Sequence, residues 1–594
     1  MLKNFLKVAF RNLFRYKGFA VINIAGLALG ITACLLIGLF VRDEKQFDKF
    51  VPEGERVYRI YNERTDNEGT EINAPAPPVF ATTIREFPEV EQTARVMMQS
   101  QYKRLFEAGG KKIYEESGFI VDSTFFEVFP LHFIYGTALN VLDDPTDMVI
   151  SNELAKRLFG NENPVGKQLQ MEKQLFIVKG VVEKPSRFHL SFDFLVPLSS
   201  AGIPVTRMES WGWNQFYNYV KLKKHTNVVA VEDRFRKIVN EKTAAFADGE
   251  GLVNKPYLQP LEKIHLYSSG FKYDMAVRGN ITYVKALTII ALFILLIACF
   301  NFINLATAKS LQRAKEVGVR KSIGASRRQL IFQFLGETFV LSLISVLVSI
   351  ALTFLAIPWL NGFTEKHIVF DLFTNPWIAL SLLSLTLLVG LIAGLYPAFV
   401  LSNFQPVKVL KGSLAGDAMP GKIPWLRHGL VVIQFSLSVL LIISALVVFR
   451  QVHFLHNKDL GFNKEELIFF PMRGDGLFKN YEAFKNDLLQ SSQVSSVSIG
   501  YGFPGDAVAG DQVIVPGKNN GKPLSATMLM VDFDYIKTLG LKMVSGREFS
   551  KEMKTDANHA FILNETAVRE LGFETPQKAL GARLQWPVWG ASNP

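Results

Sequence analysis

Five long apolar runs alternate with polar stretches along the chain. They cover residues 19–41, 286–308, 338–360, 376–401 and 429–449. Each run exceeds the roughly 20 apolar residues that a helix needs to cross the hydrocarbon core of a bilayer. We therefore predict a multi-pass α-helical membrane protein with five spans.

The polar stretches between these runs differ in size and in pattern. Residues 42–285 and 450–594 mix the period-two alternation of strands with helical spacing, which predicts two α+β domains. Residues 309–337, 361–375 and 402–428 are much shorter. We expect them to be connections between neighbouring spans.

Positive charge marks one side of the predicted membrane. The chain carries a net charge of +11, and its lysines and arginines concentrate in residues 1–18, 309–337 and 402–428. Residues 1–18 contain no acid and have apolar side chains at helical spacing, which predicts an amphipathic helix in the membrane interface. Because lysine and arginine resist translocation, we expect these three segments in the cytoplasm and both large domains outside. The basic excess therefore indicates topology, and we expect no nucleic-acid partner.

Several kinds of chemistry find no support in the residues. The two cysteines, Cys34 and Cys299, both lie in apolar runs, so we expect neither disulfides nor a cysteine-based metal site. The string from Gly160 to Lys167 has one residue too many between its glycines for a phosphate loop. We therefore predict no catalytic, metal or cofactor-binding residues, and a chain that is not an enzyme. The centre of each span also lacks a charge, which disfavours an ion-coupled secondary transporter.

The connection between the second and third spans has the most specific sequence. It reads Arg313-x-x-Glu316-Val-Gly318-Val-Arg320-Lys321-x-x-Gly324-Ala325, followed by Gln333-Phe-x-x-Glu337. The residues alone indicate a short amphipathic helix and a turn, and a charge cluster that only fixes orientation is the simpler alternative. The string resembles the intracellular signature of FtsX-type permeases, the MacB-like class of ABC transporter subunits. The resemblance implies that this segment is a coupling helix seated in a groove of an ATPase. The residues it assigns to coupling are Arg313, Glu316, Gly318, Arg320, Lys321, Gly324 and Glu337.

Two further strings resemble the same family. Gly390-x-x-x-Gly394 with Tyr396-Pro397 resembles the end of its membrane domain, and residues 149–166 resemble the MacB-like periplasmic core domain. In physical terms, each small-x-x-x-small pair offers a flat face on which a second helix can pack closely. The predicted helix-packing residues are Gly26, Gly30, Gly390 and Gly394.

The core-domain string returns near the end of the chain. The residues Asp122, Gly136, Asn152 and Gly166 match Asp532, Gly546, Asn564 and Gly581, at offsets of 410, 410, 412 and 415. A near-constant offset predicts duplication of a whole unit that consists of a span, an outer domain and three spans. The second unit, with its outer domain at 450–594, is then incomplete. We expect the reading frame to continue for roughly 200 residues with three more spans.

The resemblance implies a function that the residues alone do not. We expect the permease subunit of an ABC transporter in the bacterial inner membrane, with a cytoplasmic N-terminus and periplasmic domains. An ATPase on a separate chain would drive these domains for export or mechanotransmission. The expected partners are that ATPase, membrane lipids and, in some family members, a periplasmic adaptor or lipoprotein. A membrane-anchored sensor with ligand-binding outer domains is the alternative, and the substrate is left open.

Overall fold

The computed structural model describes most of the chain, which divides into two compact units at Ala445. The described residues are 11, 17–66, 69–99, 103–115, 117–244, 253–372, 375–402, 423–472, 475–502, 510–518 and 524–586. Most of the predicted interfacial helix at residues 1–18 and most of the 402–428 connection lie outside them.

The described elements comprise helices, strands and two short 3-10 turns. The helices are α1 (Lys17–Glu44), α2 (Val79–Arg85), α3 (Phe125–Val128), α4 (Asn152–Phe159), α5 (Val205–Met208), α6 (Val228–Thr243), α7 (Leu261–Tyr267), α8 (Ile281–Ser322), α9 (Arg327–Thr364), α10 (Pro376–Ser402), α11 (Ile423–Asn457), α12 (Asp475–Lys479), α13 (Tyr481–Leu489), α14 (Tyr535–Leu539), α15 (Asp556–His559), α16 (Glu565–Glu570) and α17 (Pro576–Ala579). The strands are β1 (Val57–Asp66), β2 (Gly69–Asn73), β3 (Val90–Met98), β4 (Arg104–Ala108), β5 (Lys111–Glu115), β6 (Gly118–Val121), β7 (Phe133–Tyr135), β8 (Asp147–Ser151), β9 (Gln168–Met171), β10 (Gln174–Val182), β11 (Phe194–Pro197), β12 (Tyr217–Leu222), β13 (Val253–Pro260), β14 (Gly510–Val513) and β15 (Leu524–Thr527). The 3-10 turns are Gly54–Arg56 and Leu198–Ala201.

Five of these helices are long and apolar enough to cross a membrane. Their apolar stretches are Lys17–Glu44, Ile281–Ala308, Arg327–Thr364, Ile378–Phe399 and His428–Asn457. In a bilayer a helix satisfies all of its backbone hydrogen bonds internally, so uninterrupted apolar runs of this length fold as helices. The predicted fold class, a multi-pass helical membrane protein with an α+β domain, is confirmed.

Glycine contacts bring the first four of these helices close together. A Cβ added to Gly30 of α1 would lie 2.7 Å from the Cβ of Ala298 in α8, and one at Gly26 would lie 3.4 Å from Asn301. On α10, a Cβ at Gly394 would lie 3.1 Å from Thr338 of α9, and one at Gly390 would lie 3.6 Å from Phe339. Each of the four glycines therefore faces a neighbouring helix, where the missing side chain allows close approach.

Residues 45–280 form an α+β domain between α1 and α8. Its thirteen-stranded sheet has the order β13-β1-β12-β3-β6-β11-β8-β10-β9-β4-β5, with β2 on β1 and β7 on β10. Most neighbouring strands are antiparallel, whereas β8–β10 and β6–β11 are parallel. Strands distant in sequence pair side by side, as β1 does with β12 and β13.

Three apolar clusters fill the domain. The central cluster is rich in aromatic side chains, including Phe125, Phe129 and Phe192, and a second cluster lies around β8, β9 and β10. The third packs α2 and α6 on β1 and β12, through residues such as Phe80 and Phe235.

The second unit, Leu446–Pro594, is described as a smaller assembly. Its two strands β14 and β15 pair antiparallel, and Val513, Val568 and Phe573 belong to its apolar core. The glycines matched by sequence share a conformation across the two units. Gly136 and Gly546 have φ of +83° and +84°, and Gly166 and Gly581 have φ of +83° and +75°. These values lie in the left-handed region that glycine enters most readily.

Candidate functional site

The candidate site lies where α8 ends and α9 begins. This end of the membrane helices faces away from the domain, and we call it the far side. Helix α8 is continuous over 42 residues, from the domain across its apolar stretch to Ser322. The basic motif is therefore an extension of α8 and the first turns of α9, rather than a separate short helix. Gly318 lies within this helix, because one glycine costs a helix only about 1 kcal/mol.

A tight turn at residues 323–326 joins the two helices. Gly324 has φ of +97°, a conformation that an L side chain rarely adopts. Ser326 then caps α9. Its hydroxyl oxygen accepts a hydrogen bond from the backbone N–H of Gln329, and the side-chain oxygen of Gln329 accepts one from the backbone N–H of Ser326. This reciprocal capping box fixes where α9 begins. We call the unit formed by the end of α8, this turn and the start of α9 the far-side hairpin.

A small apolar core attaches the far-side hairpin to the end of α10. Val317 of α8, Leu330 and Phe334 of α9, and Ala398 of α10 are buried together. Buried apolar contact of this kind holds the hairpin against the end of α10.

Polar contacts within the chain hold several of the predicted coupling residues. Arg320 donates to Gln333 at 2.6 Å, and Gln333 donates to Glu337 at 3.2 Å. Lys321 donates to the backbone carbonyl of Ser402 at the end of α10, at 2.7 Å. Burial, and then the charge of Arg327, lowers the pKa of Lys321. These side chains thus brace the far-side hairpin from within.

Other side chains of the hairpin point away from the protein. Ile323 is 80% exposed and Phe332 is 70% exposed, and Val319, Arg327 and Arg328 are also exposed. Arg328 and Phe332 are four residues apart on α9 and share a face of that helix. Val319 lies in the last turn of α8, and Ile323 is the first residue after that helix. We call these five residues the far-side surface. It offers apolar side chains beside two positive charges.

The structure sorts the predicted coupling residues into distinct groups. Gly318, Arg320, Lys321 and Glu337 belong to the braced interior of the hairpin, and Gly324 makes its turn. The side chains of Arg313 and Glu316 lie outside the described part of the chain.

Sequence reasoning missed the contribution of α10 to the site. Ser402 supplies its backbone carbonyl and Ala398 supplies apolar contact. Neither role has a signal in the sequence, because any residue has a carbonyl and an alanine in a span looks like any other.

Two family models match most of the first unit. Residues 20–238 match the MacB-like periplasmic core domain, and residues 288–406 match the FtsX-like permease C-terminal domain. The second match contains the whole far-side hairpin. The chain belongs to the FtsX-like and MacB-like ABC transporter permeases.

Individual relatives of this permease are distant in sequence. It is 24% identical to the uncharacterized ABC transporter permease YvrN of Bacillus subtilis, over 68% of this chain and 98% of the relative. It is 24% identical to the macrolide export ATP-binding/permease protein MacB of Bdellovibrio bacteriovorus, over 44% of this chain and only 38% of that protein. A solved domain of a permease from Porphyromonas gingivalis is 20% identical, covers 35% of this permease and 91% of that chain, and has a TM-score of 0.32.

Proposed function

We propose that this permease is the membrane subunit of an ABC transporter whose far-side surface docks on a separate ATPase subunit. The observation that carries the proposal is the contrast within the far-side hairpin. Arg320, Lys321 and Gln333 are engaged inside the chain, whereas Val319 and Ile323, which lie between the apolar stretches of α8 and α9, are left exposed. Exposed apolar side chains on a braced hairpin are typical of a surface that a protein partner covers.

The proposed orientation places the far side in the cytoplasm of a bacterial cell and the domain outside the inner membrane. The far-side hairpin carries Arg320, Lys321, Arg327 and Arg328 in nine residues. Short basic connections of this kind remain on the cytoplasmic side of spans. ATP is available on that side, so the far-side surface and an ATPase would meet there.

The proposed mechanism is mechanical. An ATPase that moves on binding or hydrolysing ATP would push the far-side hairpin, and α9 would carry the displacement across the membrane. The 38 residues of α9 correspond to about 57 Å of helix. Movement of the domain would then act on a substrate or on a partner outside the membrane, for export or for mechanotransmission. The permease itself would carry out no chemistry.

The test is reversal of charge at the far-side surface. Arg327→Glu/Arg328→Glu changes two exposed side chains that do not brace the hairpin in the contacts described above. We expect at least a tenfold loss of affinity for the ATPase subunit, because like charges across an interface repel. The measurement is the dissociation constant of the purified ATPase for the full permease in nanodiscs.

The matched control is Lys285→Glu, which reverses an exposed charge of α8 beside the domain. We expect wild-type affinity for this variant, since its charge lies at the other end of the same helix. Equal losses in both variants would mean that overall charge governs binding, and docking at the far-side surface would be wrong. If neither the wild-type permease nor either variant binds an ATPase, the result would instead support the alternative of a membrane-anchored sensor.

A further inference from the structure

A group of buried charges lies at the other end of the membrane helices, where α1 meets the domain. Asp43 and Glu44, the last two residues of α1, are 7% and 6% exposed. Acidic side chains at a helix C-terminus face the negative end of the helix dipole, which is unfavourable. Burying both carboxylates there adds a desolvation cost. Helix stability therefore does not explain the two acids, and their partners do.

Lys366 is the partner from the membrane side. Its Nζ lies 2.8 Å from Asp43 Oδ2 and 2.5 Å from Glu44 Oε1. The same ammonium lies 5.3 Å from the ring centroids of Phe40 and Phe47, within the range of cation–π attraction. One lysine thus pairs with two adjacent carboxylates, and its single positive charge balances only one of the two negative charges.

The connection between α9 and α10 is shaped to place Lys366. Glu365 ends α9 with φ of +53°, so the chain turns sharply just before the lysine. Asn361 spans this turn. Its carbonyl accepts from the Lys366 amide, and its side chain both donates to and accepts from the backbone of Ile368. The position of Lys366 is therefore fixed by its own loop before any ion pair forms.

The domain supplies the remaining partners. Arg187 Nε donates to Asp43 Oδ1 at 2.5 Å, and His265 Nε2 lies 3.2 Å from Glu44 Oε2. The His265 ring stacks on Phe47 with 3.5 Å between centroids, and its Nδ1 donates to the carbonyl of Val277 at 2.7 Å. Each acid of α1 therefore contacts one cation of the membrane part and one side chain of the domain.

Backbone packing closes the group on a further side. A Cβ added to Gly279, just before α8 begins, would lie 2.3 Å from Glu44 Oε2 and 2.8 Å from His265 Nε2. A larger residue there would require the Glu44 or His265 side chain to shift. The chain that leads into α8 therefore passes directly over the Glu44–His265 pair.

Asp48 attaches the stretch after α1 to the interior of the domain. Its Oδ1 accepts from both the backbone amide and Nδ1 of His189, at 3.0 and 2.8 Å. His189 Nε2 lies 2.8 Å from the hydroxyl of Tyr219 on β12. This second contact chain runs from the end of α1 to the central sheet.

The order of the elements along the chain explains why the Lys366 contacts matter for coupling α9 to the domain. The domain is covalently joined to α1 and α8 and has no covalent link to α9 or α10 at this end. A displacement of α9 therefore reaches the domain through side-chain and packing contacts. Lys366 follows α9 by two residues and binds both acids that the domain holds.

We propose that Asp43, Glu44, Arg187, His265 and Lys366 form an interdomain latch that positions the domain relative to the α9–α10 connection. These are positioning residues, and Lys366 is the one that ties α9 to the others. Its removal leaves Asp43 and Glu44 buried beside one another with only the domain side compensating them. The existence of the latch does not depend on the proposed function. Only its role in transmitting an ATP-driven movement rests on that function.

The test is a distance measurement on the full permease in nanodiscs, without nucleotide or ATPase. Spin labels replace Val205 in the domain and Val369 in the α9–α10 connection, which are 70% and 69% exposed. The background carries Cys34→Ala and Cys299→Ala. Double electron–electron resonance should give a narrow distribution for the wild-type latch and for Lys366→Arg. In Lys366→Met we expect a distribution at least twice as wide.

A second label pair separates the latch from simple loss of folding. Val205 and Leu139 both lie in the domain and are exposed, so their distance distribution should be the same in all variants. Asp43→Asn keeps the shape of the side chain and should broaden the Val205–Val369 distribution to an intermediate width. This variant replaces Lys366→Met in the test if Lys366→Met does not fold. An unchanged Val205–Val369 distribution in the two variants, or equal broadening of both label pairs, would overturn the latch. Because no ATPase is present, the outcome is independent of ATPase docking.

Discussion

At the domain side of the membrane helices, Asp43, Glu44 and Lys366 face one another inside the protein, whereas at the far side Arg327 and Arg328 face outwards. The far side also leaves Ile323 and Phe332 exposed. Buried charges need partners from the same chain. Ile323 lies outside the apolar stretches of the helices, and in our proposal a second protein covers it. One end of the helices thus holds its charges within the chain, and the other is the end at which we propose that a second protein docks.

The largest expected effect breaks the domain side. Lys366→Met leaves two buried carboxylates without their shared cation, which in buried pairs costs about 3 kcal/mol. We expect the unfolding midpoint of the full permease in detergent to fall by several degrees. Affinity for the ATPase subunit should remain within about twofold of wild type, since the far-side hairpin is untouched; a large loss of ATPase affinity would show that the two ends are not separable.

The complementary change breaks the far side. Ile323→Asp places a carboxylate where an apolar side chain is expected to enter a groove, and losing such an anchor typically costs at least 2 kcal/mol. ATPase affinity should fall about 30-fold, as measured by titration of the purified ATPase. The unfolding midpoint should not change, because Ile323 is 80% exposed. A drop in stability without a loss of affinity would reverse the assignment of the two ends.

A smaller effect is expected where α1 packs on α8 between the two ends. Gly30→Val would bring a Cβ within 2.7 Å of Ala298, so the helices must separate, at a cost of about 1–2 kcal/mol. Gly38→Val is the matched control on the same helix, since no atom lies within 4 Å of the position that its Cβ would occupy. Thermal unfolding should distinguish the two variants. Equal midpoints would mean that α1 and α8 do not pack closely at Gly30.

The sequence is informative where structure depends on local chemistry. Apolar length alone predicts the five membrane helices, because the bilayer leaves few alternatives to a helix. The paired turns at Gly136 and Gly546 have nearly equal φ, since each turn requires a residue that tolerates the left-handed region. The duplication of a whole unit stays a prediction from the sequence match.

The features that the sequence does not reveal depend on residues far apart in the chain. Lys366 lies more than 300 residues from Asp43, and Lys321 lies 81 residues from Ser402. No local pattern distinguishes a lysine that pairs with two buried acids from one that faces water. Strand order in the domain has the same origin, because β1 pairs with β12 and β13 near the other end of the domain. The motif around Arg320 and Lys321 can be recognised in the sequence. The contacts by which these two side chains brace the hairpin are visible only in the structure.

The most direct test of ATPase docking is photo-crosslinking from position 323 in cells that encode the permease. A benzoylphenylalanine at this site should form an adduct with a polypeptide that contains ATP-binding motifs, identified by mass spectrometry. The same probe at Leu139, which is 79% exposed on the domain, should form none with that polypeptide. An ATPase adduct at position 323 but not at 139 is the predicted result. Absence of an ATPase adduct at 323, or its appearance at 139 instead, would contradict the proposal that the far-side surface docks on an ATPase.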